Sequence, residues 1–141
     1  MNHQELIRRL GEVAGIDLSL SSTGTAAAIF DGDEVNFEST DERLYIYADI
    51  ASAEGREGEF AALLAANSLC LGTGGAAAGL DRERGMLTLC RVVDGDIEYS
   101  VFEQVLIGFI DALRSLKRIL SDGDDEAPEG ELPLRDGFIS V

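Results

Sequence analysis

Chemistry, if this chain performs any, has few residues to start from. Gly72-Thr73-Gly74-Gly75, with Gly79 beyond it, is the kind of stretch whose successive backbone N–H groups can cradle a phosphate. Its context is wrong for that role. A dinucleotide fingerprint needs a strand before and a helix after, and a P-loop needs Gly-Lys-Ser/Thr; here a helix pattern precedes, a strand pattern follows and no lysine is present. The stretch reads as a helix stop and turn. Asp31, Asp33 and Glu34, and again Asp122, Asp124, Asp125 and Glu126, gather carboxylates of the kind a hard cation wants. Neither run has alternating Asp/Asn spacing with a central glycine and a closing glutamate, so a hairpin turn and a solvated tail are the better readings. His3 is the single histidine and sits near a terminus expected to fray, which leaves the serines and threonines without a histidine base. Cys70 and Cys90 have no metal-ligand spacing and lie in apolar runs, which predicts buried free thiols. No catalytic residue, metal or cofactor is assigned, and the chain reads as a non-enzyme.

The balance of charge narrows the partners. Lys and Arg number 11 against 27 Asp and Glu, a net charge of −16 over 141 residues. A field of that sign repels phosphate backbones and anionic headgroups, so nucleic acid and membrane surfaces are excluded as natural partners and polypeptides are favoured. No apolar run approaches the ~20 residues of a membrane span, and Glu5, Arg8 and Arg9 occupy the place of a signal peptide's hydrophobic stretch. The expected location is cytoplasmic. The length suits one domain.

The elements follow from periodicity. Residues 3–14 set Leu6, Ile7, Leu10, Val13 and Ala14 at helical spacing against Glu5, Arg8, Arg9 and Glu12, with Gly15 as the stop. Residues 25–30, 34–38 and 43–50 read as three short strands joined by Asp31-Gly32 and by the polar residues 39–42, an antiparallel meander. Residues 60–71, FAALLAANSLCL, carry no charge and run into Gly72, which predicts a second helix that is apolar all round. A small sheet covers one side of such a helix, so either another helix of the same chain or a second subunit must cover the rest. Residues 76–80 and 86–93 flank DRERG as a hairpin, and the second of these strands is apolar on both faces, which places it inside the sheet. Residues 98–120 form a long helix with Phe102, Val105, Leu106, Phe109, Leu113, Leu116 and Leu120 on one stripe, and Asp111 spaced to pair with Arg114. Residues 121–131 hold six acids, two glycines and a proline, the composition of a solvated tail; the last stretch, LPLRDGFISV, leaves its docking open. The fold class is α+β: helix, three-stranded antiparallel meander, helix, two strands, helix. The domain is expected over residues 1–120, with 121–141 as an acidic, flexible tail.

Apolar residues on the first helix, the meander and the second helix exceed what two layers of this length need to bury. Excess of that kind on an acidic soluble chain points to protein partners.

The order of elements, with Ala66-Asn67-Ser68-Leu69 running into Gly72-Thr73-Gly74-Gly75, then Gly79-Leu80-Asp81 and Gly85-Met86-Leu87-Thr88-Leu89, resembles the class I type III secretion chaperones, the Tir-chaperone-like family. The resemblance covers residues 3–120 and is most specific over 66–89. It implies a cytoplasmic homodimer that holds the amino-terminal segment of a secreted effector in extended, secretion-competent form, without ATP. A regulatory adaptor or anti-activator that binds a transcriptional regulator on the same scaffold is the alternative. The resemblance further implies effector contacts from Leu6, Leu10, Val13, Ile16, Phe30, Val35 and Phe37, and a dimer interface from Phe60, Leu63, Leu64, Leu69, Leu71, Leu87 and Leu89. The long acidic tail departs from the family pattern.

Overall fold

A computed structural model describes residues 2–121 of the chain; the expected acidic tail lies outside the described residues. The order of elements is α1 (His3–Ala14), β1 (Thr25–Phe30), β2 (Asp33–Ser39), β3 (Arg43–Ser52), a 3-10 turn at Glu57–Glu59, α2 (Phe60–Asn67), β4 (Ala77–Asp81), β5 (Met86–Asp94) and α3 (Tyr99–Ser121). The five strands form one antiparallel sheet in the order β1-β2-β3-β5-β4. The doubly apolar β5 therefore lies inside the sheet, and β1 and β4 are its edges.

Each boundary has a local cause. Asn2 caps α1 by accepting from Glu5 N at 2.8 Å while Glu5 Oε1 accepts from Asn2 N at 3.3 Å, and Gly15 at φ 75° ends the helix. Asp31 (φ 50°) and Gly32 (φ 90°) make the two-residue β1–β2 turn, both in the left-handed region that a tight hairpin needs. Strand alternation sends Ala28, Phe30, Val35, Phe37, Leu44, Ile46, Ala48, Leu87 and Leu89 to one face, where they are buried with Leu6, Ile7 and Leu10 of α1 and Phe102, Leu106, Phe109 and Leu113 of α3. Phe37 and Phe102 meet at 6.3 Å between ring centres with their planes tilted by 53°. This apolar layer is the core.

Four expectations change. The second helix stops at Asn67, not at residue 71: Leu69 (φ 55°) and Cys70 (φ 58°) turn left-handed, and the chain folds back so closely that a Cβ on Gly72 would lie 2.9 Å from Ala66 Cα. His3 does not fray; it is buried, with Nδ1 and Ser39 Oγ at 2.6 Å, which fastens the start of α1 to the end of β2. Cys70 and Cys90 are half-exposed, because Cys90 sits on the outer face of β5 opposite Tyr47. Arg114 is paired across the fold and not with Asp111. Its Nε donates to Asp33 at 2.8 Å and its Nη2 to Phe30 O at 2.8 Å, while Lys117 Nζ donates to the other Asp33 oxygen at 2.9 Å.

Candidate functional site

The glycine-rich loop is filled by its own chain. Gly72 N donates to Ala66 O, Gly75 N to Cys70 O and Ala76 N to Thr73 O, so three of the successive N–H groups that would have to cradle an anion together are already used within the loop. Thr73 is fully buried and donates to Ala76 O. Gly74 packs against Gly108 and Ala112 of α3, and its carbonyl accepts from Arg91 Nη1 at 3.0 Å. These contacts assign the loop to packing.

The Asp31–Glu34 turn is likewise committed to α3. Burial opposes ionisation of Asp33, but the hydrogen bonds from Lys117 and Arg114 outweigh it and hold the carboxyl below the usual range. Asp31 adds a 3.7 Å contact to Arg114. Among the described residues no group of histidines, cysteines and carboxylates could hold a metal ion.

The distinctive surface is apolar. Between α2 and β4 runs a groove of about 180 Å³ lined by Phe60, Leu63, Leu64, Asn67, Ala78, Gly79, Leu80 and Leu87. Leu64 is 70% exposed, Leu69 85%, Leu71 80% and Leu80 45%. The cause is the sequence of α2, which is apolar on every side although only Leu63 is buried. Asn67 fixes the register of helix on strand: its Oδ1 accepts from Ala78 N at 2.8 Å and its Nδ2 donates to Ala78 O at 3.2 Å. A side-chain amide thus pairs with the outward N–H and C=O of Ala78 on β4 as a neighbouring strand would.

The other edge is closed differently. Ser21 N donates to Thr25 O at 2.8 Å, and Thr25 N donates to Ser21 Oγ at 3.1 Å, so a turn covers the start of β1. Alternation along the strand then leaves the N–H and C=O of Ala27 and Ile29 facing outward. Among the described residues β1 pairs with β2 alone, and Ile29 is 64% exposed.

The residues expected to contact an effector divide sharply. Leu6, Leu10, Phe30, Val35 and Phe37 are buried in the chain's own core and offer a partner no surface; they are core residues because α1 and α3 cover that sheet face. Val13 and Ile16 are exposed. Of the residues expected at a dimer interface, Leu64, Leu69 and Leu71 are exposed, Phe60 is half-buried at the groove, Leu63 and Leu87 are buried but line it, and Leu89 is core. Leu80 and Ile29 were missed as surface residues, although alternation with Gly79 and with Ala28 and Phe30 carried the signal. Asn67 was noticed without its role.

Comparison with known proteins adds a family and a fold. The model of the Tir chaperone protein (CesT) family matches residues 5–117. Among curated proteins no sequence matches. Similar solved structures include the ExsC–ExsE complex (TM-score 0.71, 24% identity, 85% of this chain and 97% of that one) and the HopA1–SchA chaperone–effector complex (0.70, 16%, 82% and 93%). A third is the Yersinia pestis type III secretion chaperone SycH in complex with a stable fragment of YscM2 (0.63, 16%, 80% and 98%). At these identities the likeness is one of fold.

Proposed function

The chain belongs to the Tir chaperone protein (CesT) family, and from that premise we propose that it is a homodimeric secretion chaperone. It holds the amino-terminal segment of a type III secreted effector in extended, secretion-competent form, in the cytoplasm and without ATP. The family match over residues 5–117 carries this reading. It is supported by the kinship of fold with a chaperone–effector complex and by the two kinds of unsatisfied surface on the molecule.

The exposed leucines of α2 and β4 suit a second copy of the same chain, since a self-complementary apolar face is what a two-fold interface requires. The β1 edge suits the client. An extended segment placed there would exchange backbone hydrogen bonds with Ala27 and Ile29 and set alternate apolar side chains on Ile29. Val13 and Ile16 at the end of α1 offer further apolar contact. Burial at ~25 cal/mol per Å² opposes the ~2–5 kcal/mol that ordering a disordered segment costs, so holding needs no fuel. None of these steps calls on a catalytic group.

The test is co-expression of the chain with the amino-terminal segment of a secreted protein encoded beside it. The complex should survive 1 M salt, where the Debye length falls to ~3 Å, because apolar anchors and backbone pairing hold it. Ile29→Asp should weaken it with the circular dichroism spectrum unchanged. A complex that dissolves in salt would overturn the apolar-anchor account, and one formed only with a transcriptional regulator would displace the chaperone reading in favour of the adaptor.

A further inference from the structure

We infer that the outer face of the sheet selects the client segment: a lysine or arginine at the client position opposite Ala27 reaches across that residue to Glu34 and Glu38. This rests on the client reading of the β1 edge and adds to it a preference for which segment binds there.

Helices α1 and α3 pack on one face of the sheet. The opposite face holds an open concavity of about 650 Å³. One end of it already binds a guanidinium. Arg84, from the β4–β5 turn, donates to both oxygens of Asp49 at 3.0 and 2.8 Å, and through Nε to Asp81 at 2.8 Å. The other end offers carboxylates without a cation. Glu34 and Glu38 line the concavity from β2, both are exposed, and neither forms an ion pair among the described residues. Beside them stands Tyr47, whose hydroxyl is pushed up first by burial and then by the charge of Glu38. The local field favours a cation.

Strand register connects this end of the concavity to the open edge. Ala27 lies opposite Asn36, with Ile29 opposite Glu34 and Thr25 opposite Glu38. Seen from the edge, the row through Ala27 therefore begins with a methyl group and continues to an amide flanked diagonally by two carboxylates. A strand added outside β1 stands two strand spacings, about 9.5 Å, from β2. Its residue opposite Ala27 projects on the same face, where diagonal neighbours are within reach of long side chains. Because alanine ends at Cβ, the stem of a lysine or arginine lies over it unobstructed, and a glutamate leaning towards the edge closes the remaining gap. Ile29, which is 64% exposed, instead takes an apolar neighbour. The preferred segment is thus apolar opposite Ile29 and cationic two residues away. The β4 edge, where the outward groups of Leu80 are equally uncovered, lacks this row: Cys90 and Thr88 stand behind Ala77 and Gly79, and neither carries a charge.

The experiment titrates the full chain by NMR with two synthetic peptides. One is acetyl-TVTRTVT-amide, which as a strand presents valine, arginine and valine on one face; the other carries citrulline, the uncharged isostere, in place of the arginine. The arginine peptide should bind about threefold to fivefold more tightly at low ionic strength, the range open to exposed ion pairs, and should shift the Asn36 side-chain amide together with the backbone amides of Ala27 and Ile29. That preference should vanish at 1 M salt, where the Debye length is ~3 Å, and in Glu34→Gln/Glu38→Gln, which alters only exposed side chains. Ala27→Leu should also remove it, by filling the gap, while the citrulline peptide still binds. Equal affinity of the two peptides for the wild type would overturn the inference and leave the edge reading standing, as would a preference that survives in either variant. A wild type that binds neither peptide would overturn the inference and the edge reading together. Shifts at Ala27 and Ile29 that follow protein concentration without peptide would overturn it by naming a second copy as the occupant.

Discussion

Gly74→Ala separates a packing loop from a ligand loop. Gly74 has φ +66°, where an L residue pays roughly 1–2 kcal/mol. The added methyl would lie 2.8 Å from Gly108 O and 3.2 Å from Ala112 Cβ, both on α3, so neither can swing away as a flexible side chain would. Overpacking of that kind adds roughly 1–3 kcal/mol, for a total of about 2–5 kcal/mol. For a chain of this size each kcal/mol shifts Tm by about 4 °C, giving a loss of about 8 °C or more in thermal denaturation at fixed protomer concentration. Gly15→Ala is the matched control: its φ is +75° and nothing lies within 4 Å of the new methyl, so only the conformational cost of about 1–2 kcal/mol remains. Equal losses in the two variants would refute the claim that the loop is held against α3. Gly108→Ala sharpens the contrast. Its methyl meets nothing within 4 Å, and helix propensity favours alanine by about 1 kcal/mol, so that variant should melt higher than the wild type.

Three further outcomes follow from other contacts. Leu64→Glu replaces an exposed leucine at the α2–β4 groove; it should leave the fold intact and turn a dimer into a monomer by light scattering, since a charge buried at an apolar interface goes unpaired. Asp33→Asn removes an acceptor of two cationic hydrogen bonds and should cost about 1.5–3 kcal/mol at pH 7 in urea denaturation. Because its folded carboxyl titrates below the ordinary value of 3.8, the wild-type advantage should be full above that value and vanish as the pH falls through the folded one. His3 is shifted in the same direction, by a different cause: burial, then the amino-terminal charge, depress it below 6.5. The unfolded chain thus takes up a proton first, and stability should fall as the pH drops below about 6.5, a slope that His3→Gln should flatten.

The elements were legible because each carries its own period. The strand alternation of Val35 and Phe37, the turn chemistry of Asp31-Gly32 and the doubly apolar residues 86–93 each specify a local structure that tertiary packing then keeps. Helix α2 was legible in type but not in length, since its last apolar residues carry no Gly or Pro; the break depends on Asn67 reaching Ala78 and on Gly72 folding back on Ala66, contacts distant from any local signal. The expected site was harder for a different reason. Apolar residues at helix or strand spacing show which face is apolar, not what covers it, so Leu6, Leu10, Phe30, Val35 and Phe37 read as a partner's surface although α1, α3 and the sheet cover one another. The exposed set emerges only by subtraction, when the core has taken what it needs and Leu64, Leu69, Leu71, Leu80 and Ile29 remain outside.

What remains outside also bears on the charge. An open edge such as β1 is a template for pairing with any strand, including that of another copy. Two copies meeting edge to edge would bring together two chains of net charge −16, with Glu34 opposite Ile29 and Glu38 opposite Thr25 in each sheet. These carboxylates stand one strand in from the open edge, so those of two copies would lie three strand spacings, about 14 Å, apart, beyond the ~8 Å Debye length of physiological salt, and their repulsion is strong only at low ionic strength. An incoming client segment that is neutral or basic meets no such opposition. The acidity thus works as a weak, salt-sensitive filter on which strand can use the edge, while the α2–β4 face, whose groove lining carries no charged side chain, presents no such charge to the second copy proposed above.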